Sequence, residues 1–102
     1  MRTYSEFTRV PLNMTYVNSL HTFLTELDRY NIKIEDIWFY QNGFQITFEG
    51  LPGDAILHDG SYGNAIGMWE TMGFPWDYDD VSIHTTHELA ELLKNFIEGR
   101  AV

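Results

Sequence analysis

Apolar side chains between residues 13 and 30 fall at spacings of three and four. Val17, Leu20, Leu24 and Leu27 form one stripe, and Tyr16, Phe23 and Tyr30 widen it. That period predicts an amphipathic helix over 13–30. Asn13, shortly after Pro11, is placed to cap its start and Asn31 to stop it. The period then changes to two. "IEDIWFYQNGFQITFEG" carries β-rich runs on both sides of Asn42-Gly43, which predicts a hairpin closed by a two-residue type I′ turn. With Asn42 and Gly43 as the turn, Gln41 faces Phe44, Tyr40 faces Gln45, Phe39 faces Ile46, Trp38 faces Thr47 and Ile37 faces Phe48. One face is then apolar: Ile37, Phe39, Phe44, Ile46 and Phe48. The other, with Asp36, Trp38, Tyr40, Gln45, Thr47 and Glu49, is polar with two large aromatics standing on it.

"LPGD" (51–54) turns the chain again and "AILHD" (55–59) reads as a third strand. Ser61 to Met72 reads as a short helix with Ile66, Trp69 and Met72 or Gly73 facing inward. Gly63 and Gly67 weaken it, and Gly73 and Pro75 end it. "VSI" (81–83) is a fourth, edge strand or simply extended chain. "THELAELLKNFIEG" opens with the capping box Thr85-x-x-Glu88 and buries Leu89, Leu92, Leu93, Phe96 and Ile97, with Gly99 closing the helix. The order α-β-β-β-α-(β)-α predicts an α+β fold: a small antiparallel sheet of three to four strands packed with about three helices. No repeat or linker divides residues 1–102, which read as one domain.

Composition agrees with a folded chain: 44% hydrophobic, 21% charged and 16% aromatic residues over 102 positions. The absence of cysteine excludes a disulfide framework, a thiolate zinc site and a cysteine nucleophile. It fits a reducing compartment, hence a cytoplasmic location. "MRTYSEFTRVPLN" lacks the apolar stretch of a signal peptide, and no apolar run reaches membrane-spanning length. Charge changes the picture most. The net charge is −9, and between Lys33 and Lys94 there are eleven acids but no lysine or arginine. Such a body repels nucleic acid phosphates and anionic lipid, and attracts basic protein surfaces. "WDYDD" alternates acids with aromatics, a combination suited to arginine-rich partners. The candidate docking residues are therefore Asp77, Asp79, Asp80, Trp76 and Tyr78, with Trp38, Tyr40, Asp36 and Glu49 as a second patch.

No motif points strongly to catalysis, and no cofactor or metal is expected. His84-x-x-His87 has metal-pair spacing only within a helix, and the capping box places His84 before the helix begins. His58, Asp59 and Ser61 supply the residue types of a hydrolase, but strand neighbours point to opposite faces and no nucleophile elbow is present. "DGSYGNAIG" lacks the lysine of a phosphate-binding loop, and "DYDD" lacks the ligand spacing of a calcium loop. An alternative reading is a small metal-dependent or hydrolytic enzyme built on His58, Asp59, His84 and His87. Another is a homo-oligomeric subunit burying Trp38 and Tyr40 against a symmetry mate.

"DGSYGNAIGMWETMG", followed by "DDV" and the helix-opening T-x-x-E-L, resembles a pattern of small uncharacterised proteins of bacteria and their phages. It covers about the last 45 residues. The overall profile is similar to small acidic phage inhibitors such as anti-CRISPR proteins. That resemblance implies a non-enzymatic inhibitor which binds the nucleic-acid-binding surface of a larger protein.

Overall fold

The computed structural model describes residues 13–77 and 80–101. The first helix, α1, spans Met14–Arg29. Asn13 caps it as the spacing predicts: Oδ1 accepts from the N–H groups of Thr15 at 2.8 Å and Tyr16 at 3.3 Å. Asn31 leaves the helix at φ +57°, a left-handed conformation that Asn tolerates. The buried stripe is Tyr16, Leu20, Phe23 and Leu27, while Leu24 is exposed.

Five strands follow as one antiparallel sheet whose spatial order equals the chain order. They are β1 (Ile34–Tyr40), β2 (Gly43–Phe48), β3 (Asp54–Leu57), β4 (Trp69–Met72) and β5 (Ser82–His84). The second long helix, α2, spans Thr86–Ala101. Its capping box is formed reciprocally: Glu88 Oε1 accepts from Thr85 N at 2.9 Å, and Thr85 Oγ1 accepts from Glu88 N at 3.2 Å. Gly99 does not end this helix but lies within it. The α+β class holds, and the described residues form five strands where three to four were expected and two long helices where about three were expected.

The missing helix is the Ser61–Met72 segment. Only Asn64–Ile66 makes a 3-10 turn, held between Gly63 at φ +79° and Gly67 at φ +72°. Neither conformation can continue a right-handed helix. Beyond Gly67 the chain extends, so Trp69 and Thr71 turn inward and Met72 outward, while Ile66 is exposed. The alternation of "WETM" overrides its helical spacing because β3 offers a ladder partner.

The hairpin register also differs. Gln41 and Asn42 are the turn residues, at φ +45° and +62°, and Tyr40 pairs with Gly43. Trp38 therefore faces Gln45 and Ile37 faces Ile46. The displacement is two residues, so every side chain keeps its expected face.

Both helices lie on the same side of the sheet. There Phe44, Ile46, Phe48, Ala55, Leu57 and Trp69 meet the α1 stripe and Leu89, Ala90 and Leu93 of α2. Phe23 sits at the centre, 4.8 Å from the Trp69 ring and edge-on to Phe48 at 6.0 Å. Among the described residues no helix lies over the other side of the sheet. Among the described residues no helix is long and apolar enough to cross a membrane.

Candidate functional site

The strand registers fix which side chains share the open face. Ladder partners point to the same side of a sheet. One row across the strands is Trp38, Gln45, Ile56, Glu70 and Ile83, and the next is Asp36, Thr47, Asp54 and Met72. Tyr40 extends the first strand's contribution. Trp38 is 40% exposed, Tyr40 53% and Met72 53%. The face thus mixes large apolar groups with the carboxylates of Asp36, Asp54 and Glu70, and no lysine or arginine occurs on these five strands. Trp38, Phe39, Tyr40 and Gln45 line an open groove of about 330 Å³ at one end.

Several of these groups are held in place. Gln45 Nε2 donates to Asp54 Oδ2 at 2.8 Å. The Tyr40 ring meets His58 edge-on at 5.0 Å. Glu70 Oε1 accepts from Tyr62 N at 2.9 Å and so anchors the loop before β4. Asp36 Oδ1 accepts from Ile37 N at 2.8 Å. Because Tyr40 and Gly43 close a two-residue turn, Ile37 N–H points away from β2. Asp36 thus takes the donor that β2 leaves unpaired, next to an irregularity between Ile34 and Asp36.

The acidic loop is organised differently from the expectation. Asp77, expected on the docking surface, is only 7% exposed, and its carboxylate turns inward. Its Oδ2 accepts from Thr71 Oγ1 and, at 2.6 Å, from Ser82 Oγ, and Oδ1 accepts from Phe74 N at 3.0 Å. Pro75 sits at the second position of the turn that brings Asp77 N onto Phe74 O at 3.0 Å. Trp76 is half-buried: it stacks flat on Phe74 at 4.6 Å and donates from Nε1 to Thr71 Oγ1 at 3.3 Å. Asp80 is exposed, as expected, and its Oδ1 accepts from Val81 N at 2.7 Å. Tyr78 and Asp79 lie outside the described residues. Glu49 is exposed at the end of β2, beside the open face.

The residues of the enzymatic alternative do not converge. Leu57 is buried, so His58 turns to the open face, whereas His84 pairs with Trp69 and turns to the helix side. His87 lies on α2 between Glu26 at 3.5 Å and Glu91 at 3.9 Å. Asp59 is a structural clasp: it accepts from Tyr16 Oη at 2.7 Å and Asn42 Nδ2 at 2.7 Å, tying the loop to α1 and the hairpin turn. Ser61 bonds back to the His58 backbone. His84 Nε2 does lie 2.7 Å from Ser82 Oγ. The Ser82 hydrogen, however, is committed to Asp77, so Nε2 must donate to the hydroxyl. That polarity is the reverse of nucleophile activation, in which the histidine accepts the serine proton. Among the described residues no three histidine or acidic side chains gather as a metal site would require.

These anchors carry a pH dependence. Burial pushes the His84 imidazole below its ordinary value of 6.5. Hydrogen bonds from Tyr16 and Asn42 hold Asp59 below its ordinary 3.8, and those from Thr85 hold Glu88 below 4.5. In each case the native state binds fewer protons than the unfolded chain, so stability falls as pH drops. The His84 share is lost as pH falls from about 6.5 through its lowered native value, and the carboxylate share is lost below about 4. Urea midpoints should therefore decline in two stages. His84→Gln, which keeps a donor for Ser82, should remove the first stage and leave the second; an unchanged first stage would exclude His84 as its source.

No protein-family model, curated protein or solved structure matches the chain.

Proposed function

We propose that the protein is a non-enzymatic interaction module that docks onto a basic, nucleic-acid-binding surface of a larger protein through the open face of its sheet. The observation that carries this reading is the combination found there: exposed Trp38, Tyr40, Met72 and Ile83 among three carboxylates, on strands without one basic side chain. Exposed apolar groups in a polar setting are how interfaces are built. The acids choose the partner. A second copy of the chain would set carboxylates against carboxylates, and phosphate or anionic lipid would be repelled. A basic protein surface satisfies both components. The action is steric and electrostatic: the field speeds encounter, and the aromatic anchors slow departure. The proposal extends to a cytoplasmic setting and an inhibitory role of the phage type.

The test is to capture a partner from bacterial lysate at low salt, identify it, and repeat the binding with both proteins purified. Affinity should fall steeply with added salt. Tyr40→Lys with Met72→Lys, both at exposed positions, should weaken binding at least about tenfold through like-charge repulsion and a lost anchor, with the urea midpoint little changed. Asp80→Lys is the comparison. If it weakens binding and the sheet-face pair does not, docking belongs to the loop and the sheet-face reading is wrong.

A further inference from the structure

We infer that Asn42 is a site of spontaneous covalent modification, deamidation with conversion to isoaspartate, and that the conversion unfastens the hairpin turn from the rest of the fold. The docking reading above plays no part in it. Among the asparagines of the chain, Asn42 alone precedes a glycine. Deamidation needs the amide nitrogen of the next residue to reach the asparagine Cγ, and a side chain on that residue stands in the way. The fold supplies the bare residue for a different reason: a Cβ on Gly43 would lie 2.0 Å from Leu57 O. It favours asparagine before it, because position 42 has φ +62°, which asparagine tolerates better than most residues. Two packing demands thus meet in one reactive pair, and the Asn42 side of it is exposed to water.

The Gly43 nitrogen attacks Asn42 Cγ. The N–Cγ bond forms, the Cγ–Nδ2 bond breaks, and Nδ2 leaves as ammonia with the proton from Gly43. Water then opens the cyclic imide. Opening at Cγ gives aspartate on the original main chain. Opening at the main-chain carbonyl gives isoaspartate, whose main chain runs through Cγ and is one methylene longer. Water is the sole co-reactant, and nothing is oxidised or reduced. In the closed turn Gly43 is paired with Tyr40, so the reaction runs through brief openings of the hairpin end. Neither product fits the turn when it closes again. Asn42 Nδ2 donates to Asp59 Oδ2 at 2.7 Å, while Tyr16 Oη donates to Asp59 Oδ1 at 2.7 Å. Those two bonds hold the Asp59 carboxyl below its ordinary 3.8, so it is ionised at neutral pH. Aspartate at position 42 sets a second carboxylate where the Asn42 donor stood. Isoaspartate adds a main-chain atom to a two-residue turn whose ends are fixed by the Tyr40–Gly43 pair.

Incubation of the folded full chain at mildly alkaline pH, followed by peptide mapping and isoaspartyl methyltransferase labelling, tests the modification. Isoaspartate should appear at Asn42 before any other asparagine converts, and Asn42→Gly should abolish that signal. No conversion at Asn42 in the folded chain overturns the site, whether or not the urea-unfolded chain converts. First conversion at another asparagine overturns it too. The unfastening is read separately. The converted fraction should unfold at lower urea than the parent. Asn42→Asp, one of the two products made genetically, should lower the urea midpoint as well. Adding Asp59→Asn to it turns the repelling pair into a bonded one and should restore at least about half of that loss. A converted fraction as stable as the parent, or a loss that persists in the double variant, overturns the unfastening.

Discussion

Asp77→Ala lowers the free energy of unfolding by about 3 kcal/mol, the largest loss expected from any single acid in the chain. The carboxylate gathers three donors from three places: Thr71 on β4, Ser82 on β5 and the Phe74 backbone N–H. Removing it strands all three where water has little access, and each stranded donor costs about 1–3 kcal/mol. Thr71 and Ser82 lie 3.1 Å apart and can turn toward each other, which recovers part of the cost. Asp77→Asn keeps the shape but has a single acceptor oxygen, so an amide N–H must face a donor. Its cost should be intermediate, about 1–2 kcal/mol. Urea unfolding of the two variants reads this order directly. A loss under about 1 kcal/mol for Asp77→Ala would show that the loop and the β4–β5 pair do not depend on this carboxylate.

Gly43→Ala has a comparable effect by another route, about 3 kcal/mol or more. A Cβ on Gly43 would lie 2.0 Å from Leu57 O and 2.6 Å from His58 Cα. Both are backbone atoms, at the end of β3 and just beyond it, so no side-chain rotation relieves the overlap. Either β3 moves off β2, or the hairpin changes register. The glycine is thus required for close approach inside the ladder and not for the turn. The matching control is Asn42→Gly, because Asn42 is the turn residue with φ +62°. It should cost less than about 1 kcal/mol, since glycine adopts that conformation freely. If Gly43→Ala is tolerated and Asn42→Gly is not, the turn sits one residue later than described.

These two sites mark where sequence reasoning reaches its limit. The α1 helix, its Asn13 cap, the Asn31 stop and the Thr85–Glu88 box rest on contacts within a few residues, and local pattern captures them. The hairpin faces were legible for the same reason, and the two-residue error in pairing left them intact. Gly43 misled because Asn-Gly is the strongest turn signal available, whereas the demand on that glycine comes from a strand fourteen residues away. Trp69 and Thr71 were misassigned because three-residue spacing over Ile66, Trp69 and Met72 suits a helix. The glycines at 63 and 67 were the counter-signal. Asp77 was hidden most completely. In a run of acids one carboxylate looks like another, and only the Phe-Pro-Trp-Asp turn hinted that this one folds inward. The hairpin's share of the open side was legible, but its extension across β3 to β5 was not, since nothing local says on which face two distant helices will settle.

The one-sided sheet also divides the chain's freedom to change. Along β1 and β3 the open-face positions are 36, 38, 40, 54 and 56, and their immediate neighbours supply the core. The core and the open face are thereby written in alternate letters of the same strands. Substitutions at the open-face letters leave Phe44, Ile46, Leu57 and Trp69 untouched, so on the docking role proposed above that surface can be rewritten for a new partner while the fold stays fixed.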